Sequence, residues 1–170
     1  MKSFFMKTDR LGFSEWEPAD LELARLLWGD PAVSRYICAA GVFTPAEIEK
    51  RLATECSNGL AVHMQYWPIF LLTTGELVGC CGLRPHGEEG LELGFHLLPD
   101  FWAMGLASEA GAAAIRYAKD NFPGRPIYAG HHPQNKASSR VLEKLGFSFV
   151  DTQFYPPTGL MHPTYILRQV

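Results

Sequence analysis

Leu91-Glu92-Leu93-Gly94-Phe95-His96-Leu97-Leu98-Pro99-Asp100-Phe101-Trp102-Ala103-Met104-Gly105-Leu106-Ala107-Ser108-Glu109-Ala110 is the stretch whose reading decides the fold. Residues 91–98 read as a strand closed by Pro99. Residues 105–121 are rich in helix formers and place Ala110, Ala114, Tyr117 and Ala118 on one side, so they read as a helix. Between them lies a tight turn of small residues that runs straight into the helix. Such a turn aims unpaired backbone N–H groups and the positive end of the helix dipole at one point. Trp102, Ala103, Met104, Gly105, Leu106, Ala107 and Ser108 therefore form a candidate anion cradle. Gly105 and Ala107 are small where an anion must approach the backbone, and Ser108 adds a hydroxyl donor. An ordinary strand-to-helix connection fits the same pattern. GxGxxG and the P-loop lysine are both lacking, so neither a dinucleotide nor a P-loop nucleotide site is supported.

Upstream, residues 67–73 and 77–83 read as a hairpin around Thr74-Gly75-Glu76, and a turn at residues 86–90 leads into 91–98, which makes an antiparallel meander. A strand over 11–17 and a helix over 20–28, ended by Pro31, precede it. Thr44, Pro45 and Glu47 form a capping box, and Ile48, Leu52, Cys56 and Leu60 follow on one face of a helix that stops near Asn58-Gly59 or shortly after. Downstream, 126–131 read as a strand, 135–145 as a helix closed by Gly146, and 147–155 with 164–169 as a final strand pair. The helical crossover from 91–98 to 126–131 makes that one pair parallel. The expected fold is α+β (mixed α/β): a mostly antiparallel sheet of about seven strands with one parallel pair, and about four helices.

Composition sets the outer limits. A chain of 170 residues fits a single domain over 1–170, and 47% hydrophobic residues give it material for a core without disulfides. Its 15 Lys and Arg against 18 Asp and Glu leave no basic excess with which to neutralise a nucleic-acid backbone. Any anionic ligand must be gripped locally. Cys38, Cys56, Cys80 and Cys81 show neither CxxC nor metal-ligand spacing, so no metal is expected and they read as small apolar residues in a reducing, cytoplasmic compartment. Cys80 and Cys81 fall on opposite faces of a strand. No signal-peptide pattern and no transmembrane run of ~18 apolar residues is found, so no membrane partner is expected. Edge strands at the chain ends leave monomer and homodimer open.

Two separated runs carry a resemblance. Glu92-x-Gly94-Phe95-x-Leu97-x-Pro99-x-x-Trp102-x-x-Gly105-x-Ala107-Ser108-Glu109-Ala110 and Asn135-x-x-Ser138-x-x-Val141-Leu142-x-Lys144-Leu145-Gly146-Phe147 resemble the GCN5-related N-acetyltransferases (GNAT), most closely the branch of the ribosomal-protein-alanine acetyltransferases. The similarity reaches Arg10-Leu11, Trp16, Asp20 and Trp28-x-Asp30-Pro31, and so covers essentially the whole chain.

The resemblance implies a three-layer fold whose parallel pair is splayed, with acetyl-CoA as co-substrate and no metal. It implies transfer of the acetyl group to a primary amine by direct attack in a ternary complex. The acceptor would be a small-molecule amine or a protein N-terminus, and the acidic net charge inclines toward a cationic or neutral one. The backbone at His96, Leu97 and Leu98 would hydrogen-bond the pantetheine arm, and the turn from Trp102 to Ser108 would take the pyrophosphate. Asn135 would bind the pantetheine, and Ser138 would protonate the departing thiolate. Asn135 as a helix N-cap and Ser138 as a solvated helix residue are the competing roles. Glu92 and His131 are the candidate bases, with a water chain as the alternative; of His131 and His132 only one can face the cleft. A main-chain N–H near His96 or Leu97 would stabilise the oxyanion. Tyr155, residues 156–159 and His162 would border the acceptor opposite residues 28–43.

The chain also departs from the family pattern. Ala103 and Met104 stand where a glycine and a basic or amide residue are usual, and Leu142 and Gly130 replace a tyrosine and a glutamate that some relatives use. These departures motivate an alternative, a non-catalytic acyl-CoA-binding module on the same fold. An unrelated α+β ligand-binding domain would instead show a sheet without a splay.

Overall fold

The computed structural model describes residues 2–169. Its strands are β1 (Met6–Lys7), β2 (Leu11–Phe13), β3 (Tyr66–Leu71), β4 (Leu77–His86), β5 (Gly90–Leu97), β6 (Ile127–Gly130), β7 (Ser148–Tyr155) and β8 (Leu160–Leu167). The helices are α1 (Leu21–Trp28), α2 (Pro31–Ser34), α3 (Pro45–Val62), α4 (Leu106–Asn121) and α5 (Lys136–Lys144). All strands join one mixed sheet in the order β1-β2-β3-β4-β5-β6-β8-β7. Among the described residues only β5 and β6 run parallel. The sheet therefore has eight strands where about seven were expected, and five α-helices stand where about four were.

Each difference has a local cause. β1 is a two-residue strand, too short to carry an alternation signal. β2 stops at Phe13 because Trp16 turns into the core, where its indole N–H donates to the Tyr66 carbonyl (2.6 Å). Pro31 ends α1 as expected, but it also opens α2 as the first helical residue, with the Asp30 side chain accepting from the Ala32 N–H (2.8 Å). α3 starts with the expected Thr44–Glu47 capping box and runs through Gly59 to Val62. Its buried face is Ile48, Leu52 and Glu55, whereas Leu60 is 85% exposed. Four-residue steps drift about 40° each around a helix, so a row begun at Ile48 has left the core by its third step. β8 begins at Leu160 because the turn joining it to β7 is short.

The sheet separates two apolar layers. On one face α4 sets Leu106, Ala110, Ala113, Ala114 and Ile115 against Cys81, Leu83, Leu91, Leu93 and Leu97. On the other, α1 and α3 set Leu27, Trp28, Ile48 and Leu52 against Tyr66, Phe70 and Cys80. Cys80 and Cys81 thus lie in different layers, as strand alternation requires. No helix among the described residues is long and apolar enough to cross a membrane.

Candidate active site

The parallel pair holds register only at Leu91↔Ile127 and Glu92↔Tyr128. Beyond that point β6 follows β8, pairing Gly130 with Thr164, while β5 stays with β4 through Leu97. The two strands diverge, and a cleft of about 980 Å³ opens between them. The Leu91 N–H donates to the Pro126 carbonyl (2.9 Å), so by alternation the main-chain groups of odd-numbered β5 residues point toward β6. Past the last registered pair, the Phe95 peptide groups and the Leu97 N–H face the cleft instead of a strand.

This parity corrects the expectation for residues 96–98. The main chain of His96 is turned to β4, opposite Cys80, and the Leu98 N–H donates to the Val78 carbonyl (2.9 Å). The Leu97 carbonyl accepts from the Trp102 indole (2.7 Å), which leaves its N–H as the open group of that residue. Trp102, Ala103, Gly105, Leu106, Ala107 and Ser108 line the cleft; Leu98 and Met104 do not.

The turn that opens α4 is built for close approach. Gly105 is the N-cap in the left-handed region (φ 76°), and the first intrahelical bond runs from the Glu109 N–H to the Gly105 carbonyl (3.1 Å). No side chain caps this end. Ala103 is also left-handed (φ 57°), a conformation that disfavours a Cβ by about 1 kcal/mol or more. The usual glycine would sit there without strain. The chain between β1 and β2 anchors the turn: Glu109 accepts from the Thr8 hydroxyl, the Arg10 N–H (3.0 Å) and the Arg10 Nε (2.7 Å), while Arg10 Nη1 donates to the Met104 carbonyl (2.9 Å). Burial alone would raise the Glu109 pKa, but these donors outweigh it and hold the carboxyl below its usual range. Arg10 thus stands beside the turn, but paired with Glu109.

Asn135 and Ser138 meet at the start of α5. The Ser138 N–H donates to Asn135 Oδ1 (3.2 Å), so Asn135 is the N-cap, and both residues line the cleft. His131, just past β6, is buried. Its Nδ1 lies 2.7 Å from the His132 carbonyl, which can only accept, so Nδ1 carries a proton and is the donor. Its Nε2 is buried without a hydrogen-bond partner. His132 takes a different course, accepting from the Gln134 N–H (3.1 Å) and packing on Tyr36.

Glu92 lies on the other face of β5, directly opposite Arg84. It accepts from the Tyr66 hydroxyl and has His86 Nδ1 at 3.7 Å. Burial would raise its pKa, but the His86 and Tyr66 hydrogen bonds and the Arg84 charge bring it below the usual carboxylate value. Glu92 is therefore an ionised carboxylate, and the raised pKa expected of a base is not found. His96 is held neutral by burial and by the Arg51 and Arg84 charges, and its Nδ1 accepts from the Trp28 indole (3.3 Å).

Several cleft residues carry no sequence signal of their own. Arg84 pairs with Glu55, a carboxylate buried completely in α3 whose other oxygen accepts from the Tyr66 N–H (2.8 Å). Arg51, one turn before Glu55, also reaches the cleft. The register alone could have placed Arg84 opposite Glu92, given the turn at 86–90. Ala32, Val33, Arg35, Tyr36 and Ile37 line the cleft, as do Tyr155 and His162, whereas residues 156–159 of the β7–β8 turn do not; the turn touches the 28–43 segment where the Ala39 N–H donates to the Pro157 carbonyl (2.8 Å).

Comparison with known proteins agrees with this architecture. Protein p20 of Bacillus licheniformis, named as an uncharacterized N-acetyltransferase, is 29% identical over 144 residues, covering 82% of this chain and 80% of its own. A GNAT-family acetyltransferase from Bacillus anthracis superposes with a TM-score of 0.81 at 26% identity, over 97% of this chain and 98% of that one. RimL, a ribosomal L7/L12 alpha-N-protein acetyltransferase solved with coenzyme A, shares the fold at a TM-score of 0.79 and 15% identity, over 98% of each chain. Residues 10–148 match the acetyltransferase (GNAT) domain, and the chain belongs to that family.

Proposed function

We propose that the protein transfers the acetyl group of acetyl-CoA to a primary amine, by direct attack within a ternary complex. The observation that carries this reading is the open edge of β5, which leads from the Phe95 and Leu97 main chain straight to the uncapped N-terminus of α4. The fold neighbour RimL was solved with coenzyme A, which supports the same ligand here.

The amides of Ala103, Gly105, Leu106, Ala107 and Ser108 take the pyrophosphate, and the Phe95 groups pair with the pantetheine as a strand would. The Leu97 N–H faces the thioester and donates to the oxyanion as the amine nitrogen adds to the carbonyl carbon. The C–S bond then breaks, and the Ser138 hydroxyl passes a proton to the thiolate as it takes one from cleft water. Glu92 attracts the acceptor ammonium as a fixed negative charge. His131 Nε2 receives the amine proton, directly or through water. Asn135 orients Ser138 through the cap and reaches the pantetheine from the same position.

Direct attack needs both substrates on the protein together. Initial rates measured at varied acetyl-CoA and amine should give intersecting double-reciprocal lines, and mass spectrometry with acetyl-CoA alone should find the protein unmodified. Parallel lines with an acetylated protein would contradict it.

A further inference from the structure

Arg51 stands apart in the charge pattern of the cleft. Its guanidinium lies 5.2 Å from the centroids of both the Trp28 and the Phe43 ring. Its Nε is buried without a hydrogen-bond partner. Among the described residues no carboxylate lies within ion-pair distance of it. The two acids one helical turn away are both committed. Glu47 accepts from the Thr44 N–H (2.7 Å) in the capping box, and Glu55 is shared between Arg84 and the Tyr66 N–H. A guanidinium does not shed its proton in a protein. The two ring faces offset part of the cost of a largely desolvated cation, and a ligand anion would offset the rest.

The charges of this end of the cleft can be matched one by one. Arg84 and Glu55 neutralise each other, Glu92 remains as a carboxylate held by the Tyr66 hydroxyl and His86, and Arg51 remains as a cation. Both Glu92 and Arg51 line the cleft, Glu92 as a carboxylate already held on both oxygens and Arg51 as the cation with no carboxylate at contact distance among the described residues. From this juxtaposition we infer that the amine acceptor carries a carboxylate, which Arg51 binds: a free amino acid or a similar small amino carboxylate. The inference rests on the acetyl-transfer reading and narrows its acceptor. A phosphate dianion would exceed the single free cation. A polypeptide N-terminus is disfavoured because the Ala39–Pro157 hydrogen bond ties the two acceptor walls together. The overall net charge of −3 inclines toward a cationic acceptor, but a desolvated local cation acts at contact distance where surface charges are screened.

The test compares the proteinogenic L-α-amino acids, β-alanine and γ-aminobutyrate with their carboxamides, in thiol release from acetyl-CoA by the wild type, Arg51→Met and Arg51→Lys. The wild type should favour at least one acid over its amide by about 100-fold in kcat/KM, the size of a charge-assisted contact. Arg51→Met should reduce that ratio to near unity, and Arg51→Lys should keep part of it. Free Arg51→Met should melt at or above the wild-type temperature, since an uncompensated charge is gone. Equal use of acids and amides, a preference for peptide N-termini, an acid preference that survives in Arg51→Met, or a melting temperature lowered by many degrees would each overturn the inference. If no amine of any kind is acetylated, the acetyl-transfer reading fails, and calorimetry with the same acids in the presence of coenzyme A decides on Arg51. Carboxylate binding lost in Arg51→Met supports the site, and no carboxylate binding to the wild type overturns it.

Discussion

Replacing Gly105 by proline is expected to raise the Kd for acetyl-CoA by about 100-fold or more, the largest functional effect of any single substitution in the turn. Three consequences coincide at this residue. Proline is locked near φ −65°, whereas Gly105 is left-handed at φ 76°. Its N–H, one of the donors proposed above to take the pyrophosphate, disappears. The first turn of α4 is then re-aimed, so the amides of Leu106, Ala107 and Ser108 lose their common focus. A charge-assisted contact is worth about 1.5–3 kcal/mol, and losing one or two accounts for the magnitude. Gly105→Ala separates the causes: a Cβ there meets only Arg10 Nη2, at 3.6 Å, so space is available, but the left-handed φ remains strained. Its Kd should fall between those of wild type and proline. Calorimetric titration with acetyl-CoA measures both, and an unchanged Kd for Gly105→Pro would remove the turn from the binding site.

Removing the Glu55 carboxylate should give the largest loss of stability. Glu55→Ala leaves Arg84 unpaired in the cleft wall and the buried Tyr66 N–H without its acceptor. Breaking a buried pair from one side typically costs about 3–5 kcal/mol, and at this chain length each kcal/mol lowers Tm by about 2–4 °C. A fall of about 10 °C in calorimetric Tm is therefore expected. Glu55→Gln restores an acceptor for the Tyr66 N–H but no charge for Arg84, so it should lie between. A loss under about 1 kcal/mol in Glu55→Ala would show that solvent in the cleft screens Arg84.

The two substitutions also mark what could and could not be read from the chain. Residues 91–110 announced a strand, a small-residue turn and a helix start because each depends on near neighbours along the sequence. For the same reason the Thr44 capping box and the Asn135 cap were legible. Which β5 amides face the cleft was not, since parity depends on the bond between Leu91 and Pro126 across the parallel pair. A shift of one residue exchanges His96 for Leu97. The buried face of α3 was misjudged because phase drifts along a long helix, and the drift hid Glu55. Arg51, Glu55, Tyr66 and Arg84 come from three separate elements, and their charges acquire meaning only after the elements pack.

Composition argued that an anionic ligand would have to be gripped locally, and the proposals made above put that grip at two places. At the turn the grip is mostly main chain, with Arg10 held beside it by Glu109. At the acceptor end a single uncompensated guanidinium faces the space instead. Because Glu109 neutralises Arg10, the departures at Ala103 and Met104 leave the main-chain amides as the principal grip at the coenzyme end.

The most direct test is amine-dependent release of coenzyme A thiol from acetyl-CoA, followed colorimetrically across amino acids, polyamines and peptide N-termini. Thiol should appear only when an amine is present, in step with the N-acetylated product. Tight acetyl-CoA binding with no thiol released by any amine would contradict transfer and leave a protein that binds the coenzyme without using it.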